Sequence, residues 1–139
     1  MEHTLCIIKP DAVAKGLIGE ILAKIQSAGL KVIGLRMLKL SKAQAEGFYA
    51  VHRERPFFGE LVVFMTSGPV VVATLEGVDA IARYRKLMGA TDPAKADEGT
   101  LRRLYAANIQ NNAVHGSDGP DTARTEVGYF FSSLDLASY

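Results

Sequence analysis

Apolar positions along this chain fall into short blocks whose spacing alternates between the two regular periods. The run Thr4-Leu5-Cys6-Ile7-Ile8 makes residues 3–9 a buried strand. Lys9-Pro10-Asp11 ends it, because proline has no amide to donate to a ladder and biases its predecessor to extended geometry. Beyond Gly16, the residues Ile18, Ile21, Leu22 and Ile25 recur at i, i+3, i+4 and i+7, the stripe of a helix that closes near Gly29. Residues 30–40 read as a second strand, with Val32, Ile33, Leu35, Met37 and Leu38 supplying apolar surface. Ser41 followed by Gln44 is a capping-box pair and opens a helix to about Val51. Arg55-Pro56-Phe57-Phe58 breaks that helix and starts another, with Pro56 expected in its first turn.

Ser67-Gly68-Pro69 is a turn before Val70-Val71-Val72-Ala73-Thr74-Leu75, a run apolar enough for a central strand. A helix over 78–88 follows, then a weakly periodic stretch over 89–99 of the length at which loops carry function. Residues 100–107 predict a short helix, 113–116 a short strand and 120–131 a last helix. The order is β-α-β-(α-α)-β-α-β-α, without repeat, low-complexity segment or linker, so residues 1–139 read as one domain. One sheet with helices largely on one face, in the split βαβ arrangement, is the expected α/β (α+β) solution. A doubly wound fold is disfavoured, since no glycine-rich fingerprint follows the first strand.

At 139 residues the chain can bury a core without staples, and 48% apolar with 22% charged residues is ordinary for a globular domain. Sixteen basic and 15 acidic residues give a net charge of +1, which argues against a broad nucleic-acid footprint. Cys6 is the only cysteine, which excludes an internal disulfide and a cysteine-rich metal site. No charged-then-apolar leader and no membrane-length apolar run is present, so a cytoplasmic protein without membrane contact is expected.

The most specified stretch is Asn112-Ala113-Val114-His115-Gly116-Ser117-Asp118, followed by Gly119-Pro120 as a helix start. An imidazole there can serve as base, metal ligand or nucleophile. Glu126 on the final helix is within reach of packing behind it, and Ser117 could bond a phosphate oxygen or Glu126. Candidate anion partners are Lys9 at a strand end, Arg85 on a helix, Thr91 in the long loop and Arg102 after it. Of Phe57 and Phe58, one can fill the core and the other can offer a face to a nucleobase. No phosphate loop, protein-kinase His-Arg-Asp set or His-Glu-x-x-His motif occurs. A phosphate-handling site would therefore have to be built from side chains.

Over residues 4–131 the chain resembles nucleoside diphosphate kinases. The likeness rests on Ile7-Ile8-Lys9-Pro10-Asp11-Ala12-Val13, Arg55-Pro56-Phe57-Phe58, Thr66-Ser67-Gly68-Pro69, Gly89-Ala90-Thr91-Asp92-Pro93, Gly99-Thr100-Leu101-Arg102 and the His115 segment, in order and spacing. The resemblance implies a ferredoxin-like βαββαβ fold with a four-stranded antiparallel sheet and added helices. It also implies γ-phosphoryl transfer from a nucleoside triphosphate such as ATP to a nucleoside diphosphate, by a ping-pong route through phosphohistidine at His115. By position, Glu126 and Ser117 would orient His115, and Tyr49 would hydrogen-bond in the same pocket. Arg85, Arg102 and Thr91 would hold phosphates, with His52 a lesser candidate. Lys9 and Asn112 would contact ribose hydroxyls, Lys9 also reaching the transferred group. Phe57 would stack on the base beside Leu61 and Ile109. Mg²⁺ is expected on the nucleotide phosphates and not in a protein cage, and a homo-oligomer, tetramer or hexamer, is implied.

Three positions depart from the common family pattern: Asp92 for asparagine, Gly119 for serine, and Arg103-Leu104 for a small residue and aspartate. Asp92 would add negative charge near a phosphate site, Gly119 would alter helix capping, and Arg103-Leu104 would alter packing or subunit contacts. Two rival readings remain, a catalytically silent nucleotide-binding or regulatory protein of the same fold and a nucleic-acid-binding module. The intact set Lys9, Arg85, Arg102 and His115 speaks against the first, and the near-neutral charge against the second.

Overall fold

The computed structural model describes residues 1–139. Its centre is one four-stranded antiparallel sheet in the order β2-β3-β1-β4, formed by β1 (Glu2–Ile8), β2 (Lys31–Leu38), β3 (Val70–Gly77) and β4 (Val114–Gly116). β1 and β3 are central, which is why their apolar runs show no polar alternation. Every residue of β3 is buried.

Seven α-helices surround the sheet: α1 (Pro10–Ala14), α2 (Ile18–Ser27), α3 (Lys42–Phe48), α4 (Phe58–Met65), α5 (Ala80–Met88), α6 (Leu101–Tyr105) and α7 (Pro120–Phe130). They cover both faces, which corrects the expectation of helices largely on one. Cys6, Ile8, Val71 and Ala73 point to a core shared with Ile21, Ile25, Tyr84 and Met88 of α2 and α5. Leu5, Ile7, Val70 and Val72 point the opposite way, to Ala45, Val62, Met65, Val127 and Phe130 of α3, α4 and α7. The physical reason is the strand period of two: a strand apolar at consecutive positions has two faces to bury.

Local chemistry explains most boundaries. Ser41 Oγ accepts from Gln44 N–H at 3.1 Å while Gln44 Oε1 accepts from Ser41 N–H at 2.9 Å, the reciprocal cap read from the sequence. α3 ends earlier than expected, and a 3₁₀ turn over Ala50–His52 completes the segment. Pro56 lies in the turn preceding α4, not in its first turn, since α4 begins at Phe58 with Phe57 as its N-cap. α1 was not anticipated. Pro10 stops the strand, as expected, but it also occupies the first position of this short helix, where its missing amide costs nothing.

β4 is short and edge-placed, yet its register decides the site. It pairs with β1 so that Ile7 lies opposite His115 and Cys6 opposite Gly116. Residues opposite one another share a face, so His115 joins Ile7 on the α7 side of the sheet. Gly116 faces the other core, where a Cβ would stand 2.5 Å from Met88 Cε and 2.9 Å from the Tyr84 ring. Only glycine lets β4 approach α5 this closely.

Candidate active site

The turn leading into β4 is strained. Ala113 is fully buried and holds φ +71°, a left-handed conformation that costs an alanine roughly 1–2 kcal/mol. Its amide donates to Asp11 Oδ2 at 3.1 Å, and its carbonyl accepts from Lys9 N–H at 2.9 Å. These bonds tie the end of β1 and the start of α1 to the segment that carries His115.

His115 is held by a chain of hydrogen bonds. Its Nε2 lies 2.8 Å from Glu126 Oε1 on α7, and a carboxylate can only accept, so Nε2 carries the proton. Ser117 Oγ donates to the same oxygen at 2.8 Å and accepts from Leu5 N–H at 3.1 Å. Of the two partners open to Ser117, the structure shows Glu126. The Phe48 ring meets the imidazole edge-on, with centroids 5.6 Å apart. With Nε2 engaged, Nδ1 is the nitrogen with a free lone pair.

Lys9 and Asn112 come together as well. Lys9 Nζ donates to Asn112 Oδ1 at 2.8 Å, and both side chains are buried. Burial pulls the Lys9 ammonium down to about 8; Arg102 pushes the same way and Asp11 opposes it. Arg102 is pinned beneath β4, donating from Nη1 to Gly89 O at 3.1 Å and from Nη2 to Val114 O at 3.0 Å. Its Nε is buried and has no partner. Burial also lowers the Arg102 pKa, opposed by Tyr84 and reinforced by Arg85. Gly89, at φ +83°, packs against Thr100 so tightly that a Cβ would lie 2.5 Å from its Oγ1. Arg85 is more exposed and reaches Asp118 Oδ1 at 2.9 Å. Asp118 therefore pairs with an arginine, and Gly119 alone takes the N-cap position of α7, its amide donating to Thr122 Oγ1 at 2.9 Å.

Tyr49 is buried with its hydroxyl unpartnered, so within the protein it makes none of the hydrogen bonds expected of it. Its pKa is raised, first by burial and then by the Glu126 charge. Phe57, Leu61, Phe64, Thr91 and Ile109 line an open cleft of about 1090 Å³ between α4 and the loop before β4. Phe57 is half-exposed on this cleft, while Phe58 is the one of the two rings that packs against the core. His52 stands against Phe57 with centroids 5.6 Å apart, placing it beside the cleft's aromatic wall. Asp92 is spent locally: its Oδ1 accepts from Ala94 N–H at 3.0 Å and caps a 3₁₀ turn over Pro93–Lys95. Arg103 reaches Ala94 O at 3.4 Å, and Leu104 is about half-exposed.

Sequence reasoning missed Asp11, Phe48 and the Leu5 amide. Asp11 stands in the quoted Lys9-Pro10-Asp11 motif, but nothing local says that it reaches across to Ala113. The Leu5 amide carries no sequence signal at all.

Comparison with known proteins adds three findings. The family model described as nucleoside diphosphate kinase matches residues 2–136. The nucleoside diphosphate kinase of Nitratidesulfovibrio vulgaris is 60% identical over 136 residues, covering 98% of each chain, and that of Nitrosospira multiformis is 61% identical, covering 98% of this chain and 96% of its own. Among solved structures, the Aquifex aeolicus nucleoside diphosphate kinase superposes with a TM-score of 0.96 at 45% identity, covering 98% of this chain and 99% of that one. The Halobacterium salinarum enzyme, solved in complex with CDP, gives 0.95 at 40% identity, covering 99% and 92%.

Proposed function

The chain belongs to the nucleoside diphosphate kinase family and is a phosphotransferase of that kind; on that premise we propose how its own residues carry the reaction. His115 Nδ1 attacks the γ-phosphorus of a nucleoside triphosphate. The Nδ1–P bond forms, the P–O bond to the β-phosphate breaks, and a nucleoside diphosphate leaves. A second diphosphate then takes the phosphoryl group back from Nδ1. The Nε2 proton stays on the imidazole, where Glu126 Oε1 stabilises the positive charge that develops. The single observation that carries this reading is the bond from His115 Nε2 to Glu126, which leaves only Nδ1 available for attack.

Arg85, Arg102 and Thr91 hold the phosphates in this scheme. Arg85 must exchange Asp118 for phosphate, whereas Arg102 is already fixed by two carbonyls and keeps an unpartnered Nε. The buried, unpartnered Tyr49 hydroxyl is available to the transferred group. Lys9 and Asn112 contact the ribose, Lys9 also the γ-phosphate, and Phe57 stacks on the base. Stacking without edge recognition tolerates any base, because each has a π-face.

No cluster of three or more His, Cys, Asp or Glu side chains is placed to cage an ion. The scheme takes Mg²⁺ to arrive on the nucleotide, where it would supply charge neutralisation at the β- and γ-phosphates. A homo-oligomer and a cytoplasmic setting belong to the same proposal; the lone cysteine is buried and unpaired, and no helix is long and apolar enough to cross a membrane.

Incubation with γ-labelled ATP tests the reading. The label should appear on the protein, resist alkali, be lost in acid and be discharged by added nucleoside diphosphate. His115→Ala protein that still turned over normally would overturn it, and wild-type protein that bound nucleotide without taking label would favour the silent binder.

A further inference from the structure

We infer that Asp11 is a positioning residue for this site: its carboxylate holds the Ala113 turn that aims His115, and its negative charge supports the neighbouring Lys9 ammonium. The inference rests on the reading of His115 as nucleophile. It is drawn from the backbone between Asn112 and His115, where three functional side chains depend on one strained residue.

Ala113 cannot hold its left-handed conformation cheaply, since its Cβ crowds the following carbonyl. Three bonds hold it there: its amide donates to Asp11 Oδ2, its carbonyl accepts from the Lys9 amide, and the Val114 amide donates to Asn112 O across it at 2.8 Å; only the first of them involves a side chain. The residues on either side are functional. Asn112 accepts the Lys9 ammonium, Val114 O accepts Arg102, and His115 follows. A rotation at Ala113 would shift all three together. The Asp11 bond spans 102 residues of sequence and joins the first turn of α1 to this turn, so the short helix acts as a fixed bracket behind the nucleophile.

The second carboxylate oxygen points to a role beyond the bracket. Asp11 Oδ1 is buried and has no hydrogen-bond partner. That oxygen finds no donor in the fold, so what it adds beside the bond to Ala113 is electrostatic. The charge has a counterpart in Lys9, two residues away. The groups that act on this ammonium are Arg102, which disfavours its charge, Asp11, which favours it, and the neutral Asn112 amide.

Asp11→Asn and Asp11→Ala separate the two roles. Asparagine keeps an acceptor for the Ala113 amide but loses the charge. It should leave kcat at pH 7 within about 3-fold and move the alkaline limb of kcat/KM to lower pH by about half a unit or more. Alanine removes the acceptor too and should lower kcat by about 10- to 100-fold, as expected when a reacting group is displaced by about an ångström. Adding Ala113→Gly to Asp11→Ala should recover most of that loss, because glycine takes positive φ without an anchor. Wild-type kcat and wild-type limb in both variants would overturn the inference. So would equal losses in both with an unmoved limb, which would mark Asp11 as structural only. If Asp11→Ala does not fold, judged by near-UV circular dichroism, the isosteric Asp11→Asn decides through its limb alone. His115→Ala measured alongside distinguishes the failures: an active, labelled His115→Ala defeats the nucleophile reading, whereas an inert one beside wild-type-like Asp11 variants defeats only the inference about Asp11.

Discussion

Glu126 Oε1 accepts hydrogen bonds from both His115 Nε2 and Ser117 Oγ, each at 2.8 Å. Two donors on one oxygen fix the carboxylate, and the fixed carboxylate sets the imidazole tautomer. Because Ser117 in turn accepts from Leu5 N–H, His115 is tied through two side chains to the middle of β1.

Glu126→Gln should therefore slow formation of the phosphoenzyme. A glutamine can present its amide nitrogen to the ring, favour the other tautomer and cap Nδ1 with the proton. A fall of about 10²-fold in the single-turnover rate with labelled ATP is expected, within the range for groups that move or orient a proton. An unchanged rate would remove Glu126 from the mechanism.

Ser117→Ala tests the relay from the other side. It deletes one bond to Glu126 and leaves the buried Leu5 amide without its Ser117 acceptor. The expected loss of stability is about 1–3 kcal/mol, read from urea unfolding, with a smaller loss of turnover than Glu126→Gln.

Lys9 gives a pH dependence with a definite sign. Its folded pKa is about 8, below the ordinary 10.5, so the folded state binds this proton less tightly than the unfolded chain. Charged in both states, Lys9 costs stability; the cost is relieved as pH rises from about 8 toward 10.5. Activity is expected to follow the opposite course, since the proposed scheme needs the ammonium to meet the γ-phosphate. The alkaline limb of kcat/KM should fall with a midpoint near 8. Lys9→Met should abolish that limb, lower turnover by at least about 10², and raise the unfolding midpoint at pH 7. A destabilised Lys9→Met would contradict the assigned cost of burial.

Glu76, at the far end of β3, predicts an acid sensitivity unrelated to catalysis. Its pKa is lowered, first by the hydrogen bond with His3 Nε2 at 2.9 Å and further by Ser138 Oγ at 3.1 Å. A depressed carboxylate stabilises the fold above its unfolded pKa and loses that contribution as pH falls through the folded value. Glu76→Gln should cost about 1 kcal/mol at pH 7, the pair being partly screened by water, and should flatten the acid side of the stability curve. Turnover at saturating nucleotide should stay at the wild-type level.

Phe57→Ala should raise KM for purine and pyrimidine diphosphates by similar factors, about 5- to 100-fold for the loss of one stacking platform. A penalty confined to one base would reveal edge recognition elsewhere in the cleft.

Much of the architecture was legible because its signals are local. The consecutive apolar residues of β1 and β3, the Ser41–Gln44 cap and the stripe of α2 are set by side-chain periodicity and short-range hydrogen bonds. The identity of the candidate site was legible through motifs separated by fixed spacing. Misreadings arose where one residue has two local roles: Pro10 both ends a strand and opens a helix, and Pro56 sits in a turn that a helix start could equally have claimed. The placement of helices on both faces was implicit in strands apolar at every position, although the expected arrangement placed them largely on one.

The sequence by itself determined the elements, the residue types available for phosphoryl chemistry and the family to which they point. Only the tertiary structure decided which nitrogen of His115 is free, that Ser117 serves Glu126, that Asp92 is consumed in a turn, and that Asp11 reaches Ala113. The reason is one of range. Periodicity and capping act within a few residues, as the Asp92 cap still does, whereas the bonds to Glu126 join the β4 segment to α7 and the Asp11 bond spans 102 residues, so their directions exist only once β4 is seated beside β1.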